Sequence, residues 1–239
     1  MEKANDATRR SFLVVAGVTV GSVVVGRAAG LLAREKPEPG KENGEIDVSP
    51  AEDLMREHGA LRRILLIYRE WIRRLRRNRI EQLDTLAASS RLIRSFVEQY
   101  HEKLEEDYLF PRFRKENKLI ELVDVLFRQH QAGRRLTGLA LDLSNTKAVQ
   151  NPGKRRKLVH SLEQFVRLYE PHAAREDTVL FPAFHQMVPD KEYDELGDLF
   201  EKEENTLFGE QGFEKTVDRI ATIEKRLGLY DLANFTPRV

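Results

Sequence analysis

The sequence contains one pattern of histidine and glutamate residues twice. The segment His101–Phe113 reads HEKLEEDYLFPRF and the segment His172–Phe184 reads HAAREDTVLFPAF, so both follow H-x-x-x-E-[ED]-x-x-L-F-P-x-F at an offset of 71 residues. Upstream of each segment, MREHGALRRI around His58 and FRQHQAGRRL around His130 share R-x-H-x-x-x-R-R at an offset of 72. Four of the six histidines therefore belong to two copies of one unit, in which a histidine precedes a His-x-x-x-Glu.

The spacing inside each copy is suited to metal binding. Two side chains four residues apart on an α-helix differ by only about 40° around its axis, so the histidine and glutamate of His-x-x-x-Glu point the same way. Imidazole is a ligand of iron, zinc and copper, and carboxylate suits harder cations and can join two of them. The candidate ligands are His58, His101, Glu105, His130, His172 and Glu176.

Two simpler interpretations compete with a metal site. A single H-x-x-x-E is often a surface pair, and a duplicated helical hairpin that only kept its packing residues would explain both L-F-P-x-F segments. Neither explains four histidines and two glutamates at equivalent points, because burying such groups without partners is costly. Six ligands exceed the four that a zinc ion uses and approach the number that two iron ions need.

The elements that must position these residues are predicted helices. Ser49-Pro50-Ala51-Glu52 forms a helix start with a capping box, and the apolar residues after it recur every three or four positions. Four long helices with short connections predict an all-α fold, an up-down-up-down four-helix bundle. Their predicted ranges are about 50–77, 80–110, 118–144 and 155–181.

Prolines and a C-terminal region complete this plan. Pro111 and Pro182 are expected to end the second and fourth helices, and Pro171 is expected to kink the fourth. Two shorter amphipathic helices, about 190–204 and 211–227, are expected to pack on the outside of the bundle or to extend it. The predicted domains are an export segment (1–33), a flexible linker (34–48), the bundle (49–187) and a C-terminal helical extension (188–239).

Composition fits this plan and excludes other classes of protein. The 239 residues are 41% hydrophobic and 33% charged, as expected for a helical globular domain, and the absence of cysteine excludes disulfides and thiolate metal sites. The net charge of only +1 argues against a polyanionic partner. The basic runs Arg73–Arg79 and Lys154–Lys157 lack aromatic interleaving, so we expect solvated helix ends and no nucleic-acid partner, with contact to anionic lipid as the alternative.

The first 33 residues have the build of an export signal. An arginine pair precedes an apolar run, Leu13–Gly26, that is short for a membrane span. TRRSFL, beginning at Thr8, resembles the twin-arginine consensus, which implies export to the periplasm; a Sec signal or an amphipathic tail is the alternative. Ala28 and Ala29 suit cleavage but Arg27 does not, so a retained membrane anchor facing the periplasm is also considered.

The arrangement H…HxxxE…H…HxxxE, with LFP after each HxxxE, resembles the hemerythrin HHE cation-binding family over about residues 50–186. The resemblance implies two non-haem iron ions joined by an oxo or hydroxo bridge. It further implies that the four repeated histidines are terminal ligands, that Glu105 and Glu176 bridge the two ions, and that the centre binds O2 or a related ligand such as NO or peroxide.

The sequence departs from the O2-carrier pattern of that family at Arg134. The carriers place a further histidine at this position, one turn after the third-helix histidine. Glu102, directly after His101, is a possible substitute ligand, although a solvated surface side chain is the favoured interpretation. Arg134 therefore puts stable reversible oxygenation in question.

Other residues near the repeats have expected roles of their own. His160 and His185 have no counterpart in the first copy, so we expect them at the surface or in packing. Tyr100 and Tyr169 are expected to pack, with hydrogen bonding near the ligands as the alternative. The pairs Leu109-Phe110 and Leu180-Phe181 are hypothesised to form a dry wall that admits only small ligands.

Three functions are compatible with these residues. The first is an exported protein that binds, senses or scavenges O2 without catalysis. The second is an enzyme that reduces peroxide or NO, which Arg134 favours because fewer nitrogen ligands leave more open coordination. The third is iron storage or delivery, which ranks lowest because ferritin-like sites use Glu-x-x-His and are richer in carboxylate.

Overall fold

The first helix begins where the sequence predicts. In the computed structural model, which describes residues 48–237, this helix spans Pro50–Arg76. The Ser49 side chain accepts a hydrogen bond from the Glu52 backbone N–H, and the Glu52 carboxylate accepts one from the Ser49 N–H at 3.0 Å. This capping box satisfies two of the backbone donors that a helix N-terminus leaves without partners.

The second helix is continuous but changes its winding along its length. It starts at Asp84, later than predicted, and passes through Pro111 to Lys115. α-Helical and π-helical turns alternate along it. The successive segments are Asp84–Leu92 (α), Ile93–His101 (π), Glu102–Leu104 (α), Glu105–Leu109 (π) and Phe110–Lys115 (α).

The fourth helix shows the same change of winding. It spans Pro152–Arg175, continues as a π-helical turn over Glu176–Leu180 and then as an α-helix over Phe181–Met187. Pro182, like Pro111, lies in the first turn of the α-helical segment that follows a π-helical turn. A proline is tolerated there, because the π-helical turn changes the hydrogen-bond register and no backbone N–H is needed at that position. The prediction that these two prolines end their helices is therefore wrong.

The third helix, Ile120–Leu143, lies close to its predicted range, but the connection after it differs from the prediction. A short helix, Thr146–Gln150, occupies part of the predicted loop, and the Asn145 side chain caps it. Asn151 then caps the fourth helix, which begins three residues before the predicted Arg155. Asparagine at each N-cap satisfies a free backbone N–H, so the chain can start a new helix after a very short connection.

The long helices pack into the predicted four-helix bundle, so the all-α fold class is confirmed. The third and first helices both pack along the fourth. Large aromatic residues fill the core and satisfy their own polar atoms. Trp71 Nε1 donates to Thr85 Oγ1 at 3.1 Å, and the Tyr68 hydroxyl donates to Ser90 Oγ at 3.0 Å. These bonds join the first and second helices in the end of the bundle that is remote from the candidate ligands.

The fifth and sixth helices, Asp190–Phe208 and Gly212–Leu227, confirm the two predicted C-terminal helices. Both pack against the first helix. The Ala51 N–H donates to the Tyr193 hydroxyl at 3.1 Å, and Arg63 forms an ion pair with Glu224. The C-terminal helices are therefore joined to the bundle by specific polar contacts.

The predicted export segment and nearly all of the predicted linker lie outside the described residues. No helix within residues 48–237 is long and apolar enough to cross a membrane. In the basic run at the end of the first helix, Arg73, Arg76, Arg77 and Arg79 are exposed. Arg73 and the partly buried Arg74 both form ion pairs with Glu70.

Phe200 tests whether the fifth helix is part of the hydrophobic core. Its side chain is buried and its ring centroid lies 5.8 Å from that of Tyr108 on the second helix. We expect Phe200→Ala to lower the free energy of unfolding by about 3–5 kcal/mol, because the cavity removes these contacts. The exposed Leu207 on the same helix is the control, and Leu207→Ala should change it by less than about 0.5 kcal/mol. Equal effects in urea denaturation would contradict this packing.

Candidate metal centre

The six predicted ligands meet in the middle of the bundle. All six side chains are buried. Each carboxylate lies between two histidines, one from each copy of the repeat, and the two copies are called the two halves below. Glu105 lies 3.8 Å from His101 Nε2 and 3.3 Å from His130 Nε2. Glu176 lies 3.1 Å from His172 Nε2 and 3.3 Å from His58 Nε2. The duplicated hairpins therefore contribute equally to one centre.

The ligand atoms divide into two overlapping groups. In one group, atoms of Glu105, His130, His172 and Glu176 all lie within 4.8 Å of one another, and in the other the same is true of His58, His101 and Glu105. Glu105 belongs to both groups. Two neighbouring cations could therefore share its carboxylate.

The donor atoms fit a metal because several of them form no hydrogen bond. Both carboxylate oxygens of Glu105 and of Glu176, and His130 Nε2, are buried and form no hydrogen bond within residues 48–237. Leaving buried polar atoms unpaired costs several kcal/mol unless something compensates. Cations bound between these carboxylates would supply that compensation, so the residues fit a metal centre.

In each candidate ligand histidine, Nδ1 forms a hydrogen bond to an acceptor on the side of the ring that faces away from the centre. With Nδ1 engaged, the ring is fixed and Nε2 faces the centre, as in many metal sites. The four Nδ1 distances are 2.6 Å for His58 to Asp177, 2.7 Å for His101 to Glu57, 3.0 Å for His130 to Glu106 and 2.9 Å for His172 to Gln129.

Sequence reasoning missed these four acceptors, although the repeat contained a signal for them. Glu57 and Gln129 directly precede the first histidine of each copy, and Glu106 and Asp177 directly follow its glutamate. A residue next to a ligand points about 100° away around the helix and so reaches a neighbouring helix. Repeated polar residues beside repeated ligands therefore indicate a supporting role.

Arg134 has an equivalent in the first copy, and this explains its presence. Arg134 pairs with Glu106 at 2.8 Å, and Glu106 accepts from His130. At the equivalent position of the other copy, Arg62 pairs with Asp177, which bonds His58. In each case the arginine and the candidate ligand histidine come from one copy of the repeat, and the carboxylate between them comes from the other copy.

Glu102 is buried, and the prediction of a solvated surface side chain is wrong. Its Oε1 atom accepts a hydrogen bond from the Tyr169 hydroxyl at 2.5 Å, and its Oε2 atom lies 2.9 Å from Arg134. The expectation that Tyr169 only packs is also wrong. An atom of Glu102 lies within 4.8 Å of atoms of Glu106 and His130, so its role as a substitute ligand stays a prediction.

The close packing of charges shifts the pKa values of the centre in opposite directions. Burial lowers the pKa of His58, but the carboxylates of Asp177 and Glu176 outweigh it and raise the pKa to about 9. Burial and the charges of the other histidines lower the pKa of His172 well below its usual value. Burial and the Glu105 carboxylate raise the pKa of Glu176 to about 7. Because ligands must be deprotonated, metal binding here would release protons.

Two phenylalanine rings stack on candidate ligand histidines, while the hypothesis of a dry wall that admits only small ligands stays a prediction. Phe110 stacks on His130 with ring centroids 5.5 Å apart, and Phe181 stacks on His58 at 5.4 Å. The neighbouring Leu109 and Leu180 are fully buried. Each phenylalanine therefore stacks on a histidine of the other copy of the repeat.

The remaining histidines lie away from the centre, as predicted. His160 is exposed on the fourth helix, and His185 is exposed and stacks on Tyr193 with centroids 4.5 Å apart. The Tyr100 hydroxyl donates to a carboxylate oxygen of Glu204 on the fifth helix at 3.4 Å. The structure therefore separates His160 and His185 from the six candidate ligands.

The fold and the site define a metal-binding helical bundle built from two similar hairpins. The family model of the hemerythrin HHE cation binding domain matches residues 49–143 and 121–227. Together these matches extend from the first helix to the sixth, so the chain belongs to the hemerythrin HHE cation-binding family.

Curated relatives show similarity along almost the whole chain. Uncharacterized proteins of Mycobacterium tuberculosis and Mycobacterium bovis are 42% identical to it over 235 residues, which cover 96% of this chain and 91% of each relative. No solved structure matches the chain.

Gly133 tests the close approach between Tyr169 and the third helix. A Cβ atom at Gly133 would lie 2.0 Å from the Tyr169 hydroxyl oxygen, so Gly133→Ala must displace the tyrosine from Glu102. We expect this change to lower the free energy of unfolding by about 1–3 kcal/mol.

Gly138 on the same helix is the matched control. A Cβ atom there would meet only Arg94 Nη2 at 3.7 Å, an ordinary contact. Gly138→Ala should therefore raise the free energy of unfolding by about 0.5–1 kcal/mol through helix propensity. The same sign for both variants in denaturant titration would count against this packing of Tyr169.

Proposed function

We propose that the chain holds two non-haem iron ions at His58, His101, Glu105, His130, His172 and Glu176, and that the centre binds O2 or a related small ligand. The overlap of the two ligand groups at Glu105 carries the proposal. Four imidazoles and two carboxylates form a mixed nitrogen and oxygen donor set. Such a set suits iron better than it suits a hard cation such as Mg²⁺ or Ca²⁺, which prefers oxygen ligands. When bound, iron would supply reversible redox chemistry and an open coordination position.

The protein groups around the donors have three tasks. The acceptors on the four Nδ1 atoms fix the rings, so the Nε2 lone pairs are aimed before a metal arrives. Arg62 and Arg134 hold two of those acceptors in place. Phe110 and Phe181 cover ligand rings and keep bulk water from the donors. A buried, apolar surround of this kind favours a small uncharged ligand.

Export is part of the proposal. It is supported by the arginine pair Arg9-Arg10 and the apolar run Leu13–Gly26, and it would place the centre in the periplasm, either free or held by an N-terminal anchor. The partners are then small molecules such as O2, NO or peroxide.

A second candidate function is reduction of peroxide or NO. The observation that favours it is the hydrogen bond from the Tyr169 hydroxyl to Glu102, beside His130 and Glu106. Reduction of either substrate consumes protons, and this pair could hold a proton close to the centre. Iron storage or delivery has no comparable support in the site.

Iron content and the optical spectrum test the proposal. The full chain is purified without oxygen, loaded with ferrous iron, analysed for metal and then exposed to air. We expect about two iron ions per chain, and loss of at least one in His101→Ala and in His172→Ala because each imidazole is a direct ligand. His160→Ala is the control and should keep both.

The spectrum then separates the functions. A charge-transfer band that appears in air and disappears under vacuum would support O2 binding. Irreversible oxidation together with turnover of peroxide or NO would support the enzyme, and a load well above two ions would support storage. Absence of bound metal in the loaded protein would refute the proposal.

Phe110 tests the role of the apolar layer. Phe110→Ala uncovers His130, and we expect oxidation by air and ligand exchange to become about tenfold faster, which corresponds to about 1.4 kcal/mol of barrier. Phe113→Ala is the matched control, since Phe113 is equally buried but packs on Phe184 instead of a ligand. Stopped-flow spectroscopy measures both rates, and unchanged rates in Phe110→Ala would contradict the role.

A further inference from the structure

A second group of acidic side chains lies between the bundle and the C-terminal helices. Asp53 and Glu57 occupy one face of the first helix, four residues apart, and Glu204 faces them from the fifth helix. All three are buried, with 7%, 2% and 1% of their surfaces exposed. One carboxylate oxygen from each lies within 4.8 Å of the others. None of the three belongs to the six ligands of the histidine centre.

The two carboxylate oxygens of Glu57 have different environments. Its Oε2 atom accepts from His101 Nδ1 at 2.7 Å. Its Oε1 atom is buried and has no hydrogen-bond partner in the part of the chain that the structure describes. A buried carboxylate oxygen without a donor is unfavourable, and other carboxylates close by make it more so.

Glu204 is held in place by groups of the second and sixth helices. Its Oε1 atom accepts from the Phe213 N–H at 3.0 Å, and its Oε2 atom lies 3.4 Å from the Tyr100 hydroxyl. Gly212 allows this approach, because a Cβ atom there would lie 3.0 Å from Glu204 Oε1 and 2.7 Å from the Cβ of Phe208. The first turn of the sixth helix therefore packs directly against the Glu204 carboxylate.

A basic side chain also approaches the cluster. Arg56 lies 3.4 Å from Asp53, but it also pairs with Glu214 and its guanidinium covers the ring of Phe213. Oxygen-only ligand sets of this type bind hard divalent cations such as Mn²⁺, Mg²⁺ and Ca²⁺.

We propose that Asp53, Glu57 and Glu204 form a second cation site, which takes one hard divalent ion through oxygen ligands alone. The fifth helix completes the site, so ion binding would fasten the C-terminal helices to the first helix. Glu57 also joins the ion to the histidine centre, because its other oxygen holds His101. The site does not depend on which metal or ligand the histidine centre takes.

Mn²⁺ binding to the full, iron-loaded chain tests this site. Free Mn²⁺ is followed by electron paramagnetic resonance during titration, and we expect one bound ion per chain. Glu204→Gln removes a ligand charge and should weaken binding about tenfold or more while leaving the iron content unchanged. Glu195→Gln, at an exposed position of the same helix, is the matched control and should bind as the unaltered chain does.

A second variant shows whether a loss of binding in Glu204→Gln comes from the lost ligand or from misfolding. Asp53→Asn removes a different ligand charge, and thermal unfolding followed by circular dichroism shows whether each variant is folded. The proposal is overturned if the chain binds no Mn²⁺, as expected for carboxyls that share a proton instead. It is also overturned if binding persists in both Glu204→Gln and Asp53→Asn, or if His172→Ala abolishes it, since the ion would then lie at the histidine centre.

Discussion

The structure depends on the burial of two glutamates and four histidines in the centre of a helical bundle. Both oxygens of Glu105 and Glu176 are shielded from water and have no hydrogen-bond donor within the described residues. Positive charge held between the carboxylates would offset the cost of this burial. The surrounding residues orient the imidazoles through hydrogen bonds to Nδ1 and place phenylalanine rings against two of them.

The supporting hydrogen bonds also explain how two similar hairpins form one centre. Glu57 bonds His101 and Gln129 bonds His172, each within one half of the repeat. In contrast, Asp177 bonds His58 and Glu106 bonds His130, each between the halves. Because every ligand histidine relies on another helix for its orientation, the centre and the packing of the bundle require one another.

The two halves differ beside His130, and this difference bears on function. Arg62 has Asp177 as its partner, whereas Arg134 contacts both Glu106 and Glu102, and Glu102 also accepts from Tyr169. The arginine is thus common to both halves, while the buried glutamate and tyrosine distinguish one of them. A site with an additional carboxylate and a hydroxyl close to one ligand group can hold protons there. Reduction of peroxide or NO needs such protons, whereas simple binding of O2 does not.

The sequence by itself determined the fold class, the six candidate ligands and the apolar wall. Helical periodicity is local, and duplication marked which histidines and glutamates share a face, so His58 could be grouped with His172 although they are distant in the chain. The burial of Glu102, the role of Tyr169 and the acceptors on Nδ1 were decided by the tertiary structure. These depend on which side chains of neighbouring helices meet, and spacing along one helix does not specify that. The passage of both helices through Pro111 and Pro182 likewise depends on π-helical turns, which lack a local sequence signal. The meeting of Glu204 with Asp53 and Glu57 required the folded chain, because only helix packing brings the fifth helix against the first.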